Sequence, residues 1–373
     1  MDLFNLPKLG FGLMRLPSSD EQIDYTVLND MVDESINHGF NYFDTAYMYH
    51  DGESEKAVKQ SLVNRHPREN FIVADKLPAW ELRSHADVQI IFDEQLTRTG
   101  AGYFDLYLLH SVEEKNLENY DKYDCWNWAQ EQKAKGLIRH FGFSFHDKPE
   151  LLDKVLSEHP EVEFVQLQIN YLDWDNRIVN SGACYKVARK HNIPIIVMEP
   201  VKGGMLASIQ PEWEAQFKAI APGNSIASWA IRFCLSLDGV VSVLSGMSTP
   251  EQLQDNIATV KNFIPLSEVE KTCITKFTKE LLEKPTIGCT SCRYCTGGCP
   301  MNINIPDIIN AFNTVLTYGD HDQPHFYYDG LISTGGKANS CTGCGSCEGV
   351  CPQHLDIIDL MKKASGVFDV AKE

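Results

Sequence analysis

Eight of the twelve cysteines in this 373-residue chain carry the strongest chemical signature. They follow residue 288 in two runs, each with the spacing C-x2-C-x2-C-x3-C-P. A [4Fe-4S] cluster needs four converging thiolates, and two-residue gaps let three sulfurs of one turn reach three irons. The pattern therefore predicts a pair of [4Fe-4S] clusters, with these ligands: Cys289, Cys292, Cys295, Cys299, Cys341, Cys344, Cys347 and Cys351.

Zinc and disulfides are the competing interpretations of these cysteines. Zinc ribbons use two separated cysteine pairs, whereas each run here carries four ligands by itself. A disulfide framework needs an oxidising compartment, but residues 1–10 show neither the basic start nor the apolar core of a secretion signal. The other cysteines stand singly in apolar or helical contexts and are expected to be buried small side chains: Cys125, Cys184, Cys234 and Cys273.

The two runs resemble those of bacterial two-cluster ferredoxins, in which the cysteine before proline completes the cluster of the other run. The resemblance implies one cluster on Cys289, Cys292, Cys295 and Cys351, and another on Cys341, Cys344, Cys347 and Cys299. Between and after the runs, residues 306–316 and 355–363 have the apolar spacing of helices. We therefore expect a module of the α-helical ferredoxin type, preceded by a charged amphipathic helix over residues 267–284.

A second group of chemically capable residues follows short β-rich runs near the start of the chain. Asp44 ends one such run, and Tyr49 lies five residues further on. Lys76 and His110 end the next two runs. If these runs are parallel strands of one sheet, the four side chains face one mouth and combine acidic and basic character.

The elements that position these residues alternate along the first 265 residues. The predicted strands are 9–16, 41–44, 71–75, 106–109, 140–144, 164–169, 194–198 and 240–244. The predicted helices between them are 27–38, 53–63, 86–97, 126–135, 149–156, 183–191, 225–236 and 251–263. Eight alternations in about 250 residues are typical of a (β/α)8 TIM barrel. A doubly wound open sheet is the competitor, but no G-x-G-x-x-G motif opens its first turn. We predict two domains: a barrel over 1–265 and an α-helical two-cluster ferredoxin-like domain over 266–373.

The four strand-end residues and their contexts resemble the Asp, Tyr, Lys, His tetrad of the aldo-keto reductase family. The resemblance rests on Asp44-Thr45-Ala46-Tyr47-Met48-Tyr49, Val73-Ala74-Asp75-Lys76 and Asp105-Leu106-Tyr107-Leu108-Leu109-His110. It implies reduction of a carbonyl, with Tyr49 as the general acid and His110 orienting the substrate oxygen. Lys76, held by Asp44, is expected to lower the pKa of the Tyr49 phenol, because a nearby ammonium favours the phenolate.

The same resemblance implies a nicotinamide cofactor, NADP or NAD. The positions that correspond to its contacts run from the fifth strand to the last helix of the barrel: Ser144, Gln166, Gly203, Gly204, Gly246 and Asn256. Gln166 is expected at the nicotinamide carboxamide, the glycine pair along the pyrophosphate, and Asn256 at the adenine end.

Several positions depart from the family pattern. Phe145 replaces an asparagine that follows Ser144, and Met198 replaces the aromatic residue that stacks on nicotinamide. Gly246 and Gln252 stand where the family carries basic residues for a 2′-phosphate. The sequence therefore supports no preference for NADPH over NADH.

The charge and hydropathy of the chain disfavour two classes of binding partner. The formal net charge of −18 disfavours nucleic acid and anionic membrane surfaces, and no apolar run approaches a membrane span. We expect a cytoplasmic protein that acts on a small-molecule carbonyl substrate and exchanges electrons with a redox partner protein.

Three functional hypotheses remain open, because nicotinamide moves two electrons as hydride and a [4Fe-4S] cluster moves one. In the first, the barrel is an NAD(P)H-dependent carbonyl reductase and the clusters relay electrons to or from a partner. In the second, the clusters feed a substrate directly while Tyr49 supplies the proton. In the third, the clusters are structural or sensory and the protein is a binding or regulatory subunit.

Overall fold

The structure is a computed structural model that describes residues 2–19, 22–175, 179–283, 287, 289, 295–351 and 355–370. The chain divides into two compact units, Met1–Cys273 and Ile274–Glu373. Our sequence-based bounds were 1–265 and 266–373.

The first unit is built around a closed barrel of eight parallel strands, as predicted. Each strand pairs with the next along the chain, and the last pairs with the first. The strands are β1 Leu9–Gly12, β2 Tyr42–Asp44, β3 Ile72–Pro78, β4 Phe104–Val112, β5 Ile138–Phe145, β6 Phe164–Gln168, β7 Ile195–Met198 and β8 Val240–Gly246. A separate two-stranded antiparallel hairpin joins Ser18–Ser19 to Gln22–Ile23.

The strands are apolar on both faces because one face fills the barrel and the other meets the helices. Tyr42, Leu106 and Phe164 belong to one buried cluster, whereas Phe43, Tyr107 and Val165 belong to another that also includes helix residues. Gly142 in β5 is required by close packing, since a Cβ there would stand 2.4 Å from the carbonyl oxygen of Phe164.

Helices accompany the strands of the barrel. Their bounds are α1 Tyr25–Asn37, α2 Glu53–Ala57, α3 His85–Thr99, α4 Glu114–Lys122, α5 Cys125–Ala134, α6 Pro149–Glu158, α7 Ser181–Lys190, α8 Pro211–Ile220, α9 Ile226–Leu235 and α10 Pro250–Lys261. The next helix, α11 Glu268–Leu282, includes the boundary between the two units. A π-helical turn, Val58–Val63, continues α2, so the single helix predicted over 53–63 changes its winding midway. Short 3-10 turns lie at Leu3–Asn5, Tyr49–Gly52, Arg68–Asn70, Ala79–Glu81 and Lys202–Gly204.

Local sequence signals account for many helix starts. Ser84 and Asp87 form a capping box at the start of α3, and proline occupies the first turn of α6, α8 and α10. Two helices of the first unit were not predicted, α4 and α8. In α4 the residues Glu114–Lys122 are largely polar, so apolar periodicity gives little signal there.

The second unit is mainly helical, as predicted. Its helices are α12 Ile305–Tyr318, α13 Asp322–Thr334, α14 Ser346–Gly349 and α15 Ile357–Phe368, with a 3-10 turn at Ala338–Ser340. The predicted helices over 306–316 and 355–363 correspond to α12 and α15, whereas α13 was missed. The aromatic residues Phe326, Tyr327 and Tyr328 of α13 differ in burial. Tyr328 is buried and stacks on Phe368, whereas Phe326 is 78% exposed.

A small apolar core holds this unit together. Ile308, Ile309 and Met361 are buried in it, and cysteines of both runs pack against the same core. Among the described residues of the whole chain, none of the helices has the length and hydropathy needed to cross a membrane.

Candidate functional site

The centre of the barrel site is a buried ion pair. Lys76 Nζ lies 2.6 Å from Asp44 Oδ1 and donates a second hydrogen bond, also 2.6 Å, to the carbonyl oxygen of Thr45. Burial alone lowers the pKa of the Lys76 ammonium, but the charge of Asp44, and that of Tyr49 when it is ionised, outweigh it, so this pKa is raised. The lysine is therefore a cation at neutral pH.

The strand ends differ slightly from our expectation. Asp44 ends β2, but Lys76 and His110 each lie two residues inside their strands, because β3 continues to Pro78 and β4 to Val112. The extension follows from pairing between β3 and β4, which continues to the Pro78–His110 register. The side chains nevertheless belong to the carboxyl-terminal part of each strand, where barrel chemistry gathers.

Asp44 is held from three directions. Besides Lys76, the amide of Gln166 donates to Asp44 Oδ2 over 3.0 Å, and the Tyr42 hydroxyl donates to the same oxygen over 3.4 Å. Gln166, which the family resemblance assigns to the nicotinamide carboxamide, thus binds the ion pair directly through its amide.

Tyr49 begins the short turn that follows β2, and its backbone N–H donates to the Ala46 carbonyl over 3.1 Å. The Lys76 ammonium lies 4.9 Å from the centre of the Tyr49 ring. Lys76 acts to lower the pKa of Tyr49, as expected, through its charge and a hydrogen bond, but it does not decide the net direction. Burial raises the phenol pKa more than the ammonium lowers it, and Asp44 adds a further increase. The phenol therefore stays protonated at neutral pH.

His110 completes the group. Its ring centre lies 6.0 Å from that of Tyr49 in an edge-on arrangement at 81°, and 5.2 Å from that of Trp80. The buried Nδ1 atom has no hydrogen-bond partner. Burial, together with the Lys76 charge, holds the imidazole pKa well below its usual value. The side chain is therefore neutral near pH 7 and retains one N–H to donate.

The tyrosine at position 120 fixes the backbone beneath this histidine. Its hydroxyl lies 2.6 Å from the carbonyl oxygen of His110 and 2.8 Å from that of Leu77, and it accepts from the N–H of Ala79. β3 and β4 are thereby tied together beside the candidate catalytic residues.

The other residues predicted to bind the cofactor lie along one arc of strands, β5 to β8, and the helix after it. Ser144 Oγ accepts the Ser111 N–H over 2.7 Å, which leaves its own hydroxyl proton free to donate. Asn256 is buried, and its amide donates to Ser245 Oγ over 3.0 Å. Asn256 is thus not an ordinary surface residue of α10.

The glycine positions fit the approach of a phosphate to the backbone. Gly203 and Gly204 have φ values of 64° and 100°, which favour glycine, and a Cβ on Gly204 would meet nothing within 4 Å. Around Gly246 a Cβ would meet only Arg15, at 3.7 Å. A dinucleotide therefore has open backbone to approach in this part of the rim.

Sequence reasoning missed two charged residues of this rim. Arg15 follows β1 by three residues, Glu199 follows β7 directly, and their side chains form an ion pair of 3.1 Å. The rule that identified the tetrad, polar residues after a strand, also applies to both. Arg15 brings a guanidinium to Gly246, where the family's basic residue is absent. Gln252 instead binds its own loop, accepting the Ser248 N–H over 2.8 Å.

Three tryptophans of the barrel unit, Trp80, Trp126 and Trp174, have different surroundings. Trp80 lies beside His110, as described above. Trp126 is buried away from the rim, stacked on His159 with ring centres 3.7 Å apart, because α5 packs on the outer face of β5. Trp174 packs against Tyr185 and Phe233.

In the second unit, thiols of both cysteine runs border one cavity. A small cavity, partly open to solvent, is lined by Cys299, Cys341, Cys344 and Cys347. The other lining residues are mostly apolar: Pro300, Met301, Ile303, Ile305, Thr342, Ile357, Ile358 and Met361. Four thiols around an apolar chamber fit the donor set of a [4Fe-4S] cubane, and Cys299 is the ligand that the ferredoxin resemblance assigned to this group.

The second predicted ligand set is only partly described. Cys295 is buried, and Cys289 and Cys351 pack against the same apolar core, whereas Cys292 lies outside the described residues. In the parts of the chain that the structure describes, no three His, Cys, Asp or Glu side chains converge closely enough for a single metal ion. The described thiols thus line a cavity and do not converge on a single-ion site. The four remaining cysteines are all buried.

Comparison with known proteins agrees with both units. The family model described as the Aldo/keto reductase family matches residues 8–278, and a 4Fe-4S dicluster domain matches residues 288–356. The chain is 24% identical over 312 residues to an uncharacterized oxidoreductase of Bacillus subtilis, covering 75% of this chain and 95% of that protein. It is 23% identical over 326 residues to the NADH-specific methylglyoxal reductase of Escherichia coli, covering 74% and 96%.

Among solved structures, the holo form of an aldo-keto reductase from Bacillus halodurans superposes with a TM-score of 0.58 and 26% identity, covering 72% of this chain and 91% of that one. The family match spans more than half of the chain and includes every barrel strand. This oxidoreductase belongs to the aldo/keto reductase family and carries a 4Fe-4S dicluster domain after its barrel.

Proposed function

We propose that the barrel reduces a small-molecule carbonyl compound with a nicotinamide cofactor, and that Tyr49 is the general acid. The observation that carries this proposal is the buried Lys76–Asp44 pair beside the Tyr49 ring, with His110 edge-on to the same ring. A phenol that stays protonated, next to a fixed cation, is suited to give up its proton only when negative charge develops nearby.

In the proposed reaction, NADH or NADPH, when bound, supplies a hydride to the carbonyl carbon. The π electrons of the C=O bond move to oxygen, and that oxygen takes the Tyr49 hydroxyl proton, which yields an alcohol. The phenolate left on Tyr49 is stabilised by the Lys76 ammonium, whose charge Asp44 and the Thr45 carbonyl hold in place. Lys76 thus acts on the phenolate that forms rather than by lowering the resting pKa.

The proposed role of His110 is to orient the substrate. A neutral imidazole donates one hydrogen bond to the carbonyl oxygen without competing with Tyr49 as an acid. Trp80, beside the imidazole, would supply an apolar wall for the substrate.

For the cofactor, the proposed contacts are Ser144, Gln166, Gly203, Gly204, Gly246 and Asn256. We extend this set by Arg15, whose guanidinium adjoins Gly246 and could approach an anionic cofactor. The absence of a basic side chain at 246 or 252 removes the usual reason to prefer NADPH, and the related Escherichia coli enzyme is named NADH-specific.

We further propose that the eight cysteines of the dicluster domain hold two [4Fe-4S] clusters with ligands exchanged between the runs. The cavity bordered by Cys299, Cys341, Cys344 and Cys347 supports the exchange. When assembled, such clusters transfer single electrons, and we propose that they serve a redox partner protein. A cytoplasmic location belongs to the same proposal, because thiolate ligands persist in reducing compartments.

The test is an anaerobic assay of the purified full-length protein with a panel of aldehydes and ketones. Deuteride-labelled NADH and NADPH are offered in parallel with a reduced low-potential dye. Transfer of deuterium from either nucleotide to the carbon of the alcohol product is the expected result. Reduction by the dye alone, with neither nucleotide binding, would instead support a reductase fed by its clusters and overturn the nicotinamide proposal.

A further inference from the structure

Two buried carboxyl side chains near the candidate catalytic residues have no role in the scheme above. Glu55 lies in α2, and Asp75 lies in β3 directly before Lys76; both are fully buried. Because successive strand side chains point to opposite faces, Lys76 faces the barrel interior and Asp75 faces the helices outside it.

Each carboxyl uses one oxygen in an ordinary hydrogen bond. Glu55 Oε2 accepts from Arg98 Nη1 over 3.0 Å, and Asp75 Oδ1 accepts from the backbone N–H of Lys76 over 2.8 Å. The remaining oxygens, Glu55 Oε1 and Asp75 Oδ2, are buried without a hydrogen-bond donor. The two side chains are nevertheless in hydrogen-bonding contact with each other.

Two carboxylates cannot hydrogen-bond without a proton, and two facing negative charges in a buried site repel strongly. One proton between them supplies the missing donor and satisfies both oxygens at once. We propose that Glu55 and Asp75 share a single proton at neutral pH, and that this bond holds the helix after Tyr49 against the strand that carries Lys76. They are positioning residues, and this second half of the proposal rests on the proposed function of Tyr49.

The charged groups around Glu55 and Asp75 are consistent with one shared proton and one remaining negative charge on the two carboxyls. Arg98 balances Glu55 and also pairs with Glu94, whose other oxygen accepts from the Tyr47 hydroxyl. The Lys76 ammonium is committed to Asp44. Burial, and then the charge of Glu55, raise the pKa of Asp75 well above its usual value.

A neutral network completes the link to the active site. The amide of Gln95 donates to the carbonyl oxygen of Lys76 over 3.0 Å and accepts from the buried Tyr107 hydroxyl over 2.6 Å. Gln95 also contacts Glu55. The carboxyl pair is therefore linked to both backbone polar groups of Lys76. Asp75 accepts from the Lys76 N–H, and Gln95, which contacts Glu55, donates to the Lys76 C=O.

The position of α2 explains why this pair matters for the acid. The short turn Tyr49–Gly52 leads directly into Glu53–Ala57, so a shift of α2 carries the phenol with it. Loss of the shared proton at alkaline pH would set two carboxylates against each other, separate α2 from β3 and change the spacing between Tyr49 and Lys76.

The first measurement is independent of activity. Infrared spectra of the anaerobic full-length protein in D2O at neutral pD should contain a protonated-carboxyl C=O band, because the shared proton keeps one carboxyl of the pair neutral. Asp75→Asn and Glu55→Gln should each remove it, since an amide supplies the donor without a proton. Asp93→Asn, a matched change at an exposed position of α3, should keep the band. A wild-type protein without this band, or a band that survives both substitutions, overturns the shared proton.

The second measurement is the pH profile of kcat. Asp75→Asn should move the alkaline loss of activity upward by at least about one pH unit, because the carboxyl pair no longer titrates and only Tyr49 and Lys76 remain to do so. An unchanged alkaline limb, with the infrared band lost as expected, overturns the positioning role. A fully active Tyr49→Phe variant overturns the proposed acid but leaves the infrared result standing, so the two failures are distinguishable.

Discussion

The two units organise their functional residues in opposite ways. In the barrel, Asp44, Lys76 and His110 come from three different strands and are held by buried hydrogen bonds and an extensive apolar core. In the second unit, the ligands lie in two short runs of sequence, packed on a much smaller core. Small domains with small cores depend on staples such as metal centres. The difference teaches that the barrel site depends on distant strands meeting in the fold, whereas the cysteine ligands are already close in sequence.

Removal of the Tyr49 hydroxyl gives the largest expected effect and separates the units by function. Tyr49→Phe should reduce kcat for carbonyl reduction by about 10²- to 10⁴-fold, because the general acid is lost. Iron content should stay unchanged. Tyr185→Phe, whose hydroxyl binds a surface carbonyl, is the matched control. An active Tyr49→Phe enzyme would contradict the acid role.

Asp44→Asn tests whether the barrel site is held by its buried ion pair. Leaving Lys76 buried without a counter-charge should lower the free energy of unfolding by about 3–5 kcal/mol, measured by denaturant unfolding of the barrel. Glu158→Gln, which breaks an exposed pair with Lys154, should cost at most about 1 kcal/mol.

The pH dependence of wild-type stability is a second test of the Asp44–Lys76 ion pair. Because the folded-state pKa of Lys76 is raised above 10.5, its contribution is complete below that pH. The contribution is lost as the pH rises through the raised value. Asp44→Asn should remove this alkaline loss, and an unchanged profile would argue against the ion pair.

His110 should give a smaller, acid-side effect. Its folded-state pKa lies well below the usual 6.5, so the unfolded chain binds more protons and stability falls as the pH drops below 6.5. Between pH 6.5 and 5.5 this loss amounts to about 1 kcal/mol per group. His110→Gln should remove it, whereas His38→Gln at the exposed end of α1 should not.

Cys299→Ser should produce the smallest change, a twofold loss of iron, and it tests the second unit separately from the barrel. Iron should fall from about eight to about four atoms per chain, because one of two cubanes loses a ligand. Deuteride transfer in the barrel should continue at the wild-type rate. Cys184→Ala, which removes a buried barrel thiol, should leave iron unchanged. Full iron content in Cys299→Ser would contradict the exchanged ligand set.

Much of the barrel was predictable because each strand is a short β-rich run bounded by turn residues. Lys76 and His110 were predicted at strand ends, and both lie two residues inside strands that are longer than predicted. The pKa of Tyr49 was misjudged, since the sequence reveals a nearby ammonium but not how deeply the phenol is buried. The helix α4 was missed because its polar residues carry no apolar period.

The sequence by itself determined the alternation of strands and helices, the cysteine spacing and the types of the four tetrad residues, because each is written in neighbouring positions. Only the tertiary structure decided that Gln166 binds Asp44 and that Glu55 meets Asp75. It alone decided that burial raises the pKa of Tyr49. The burial of a side chain and the partners of its charge depend on residues that are distant in sequence. They are therefore set only when the barrel closes.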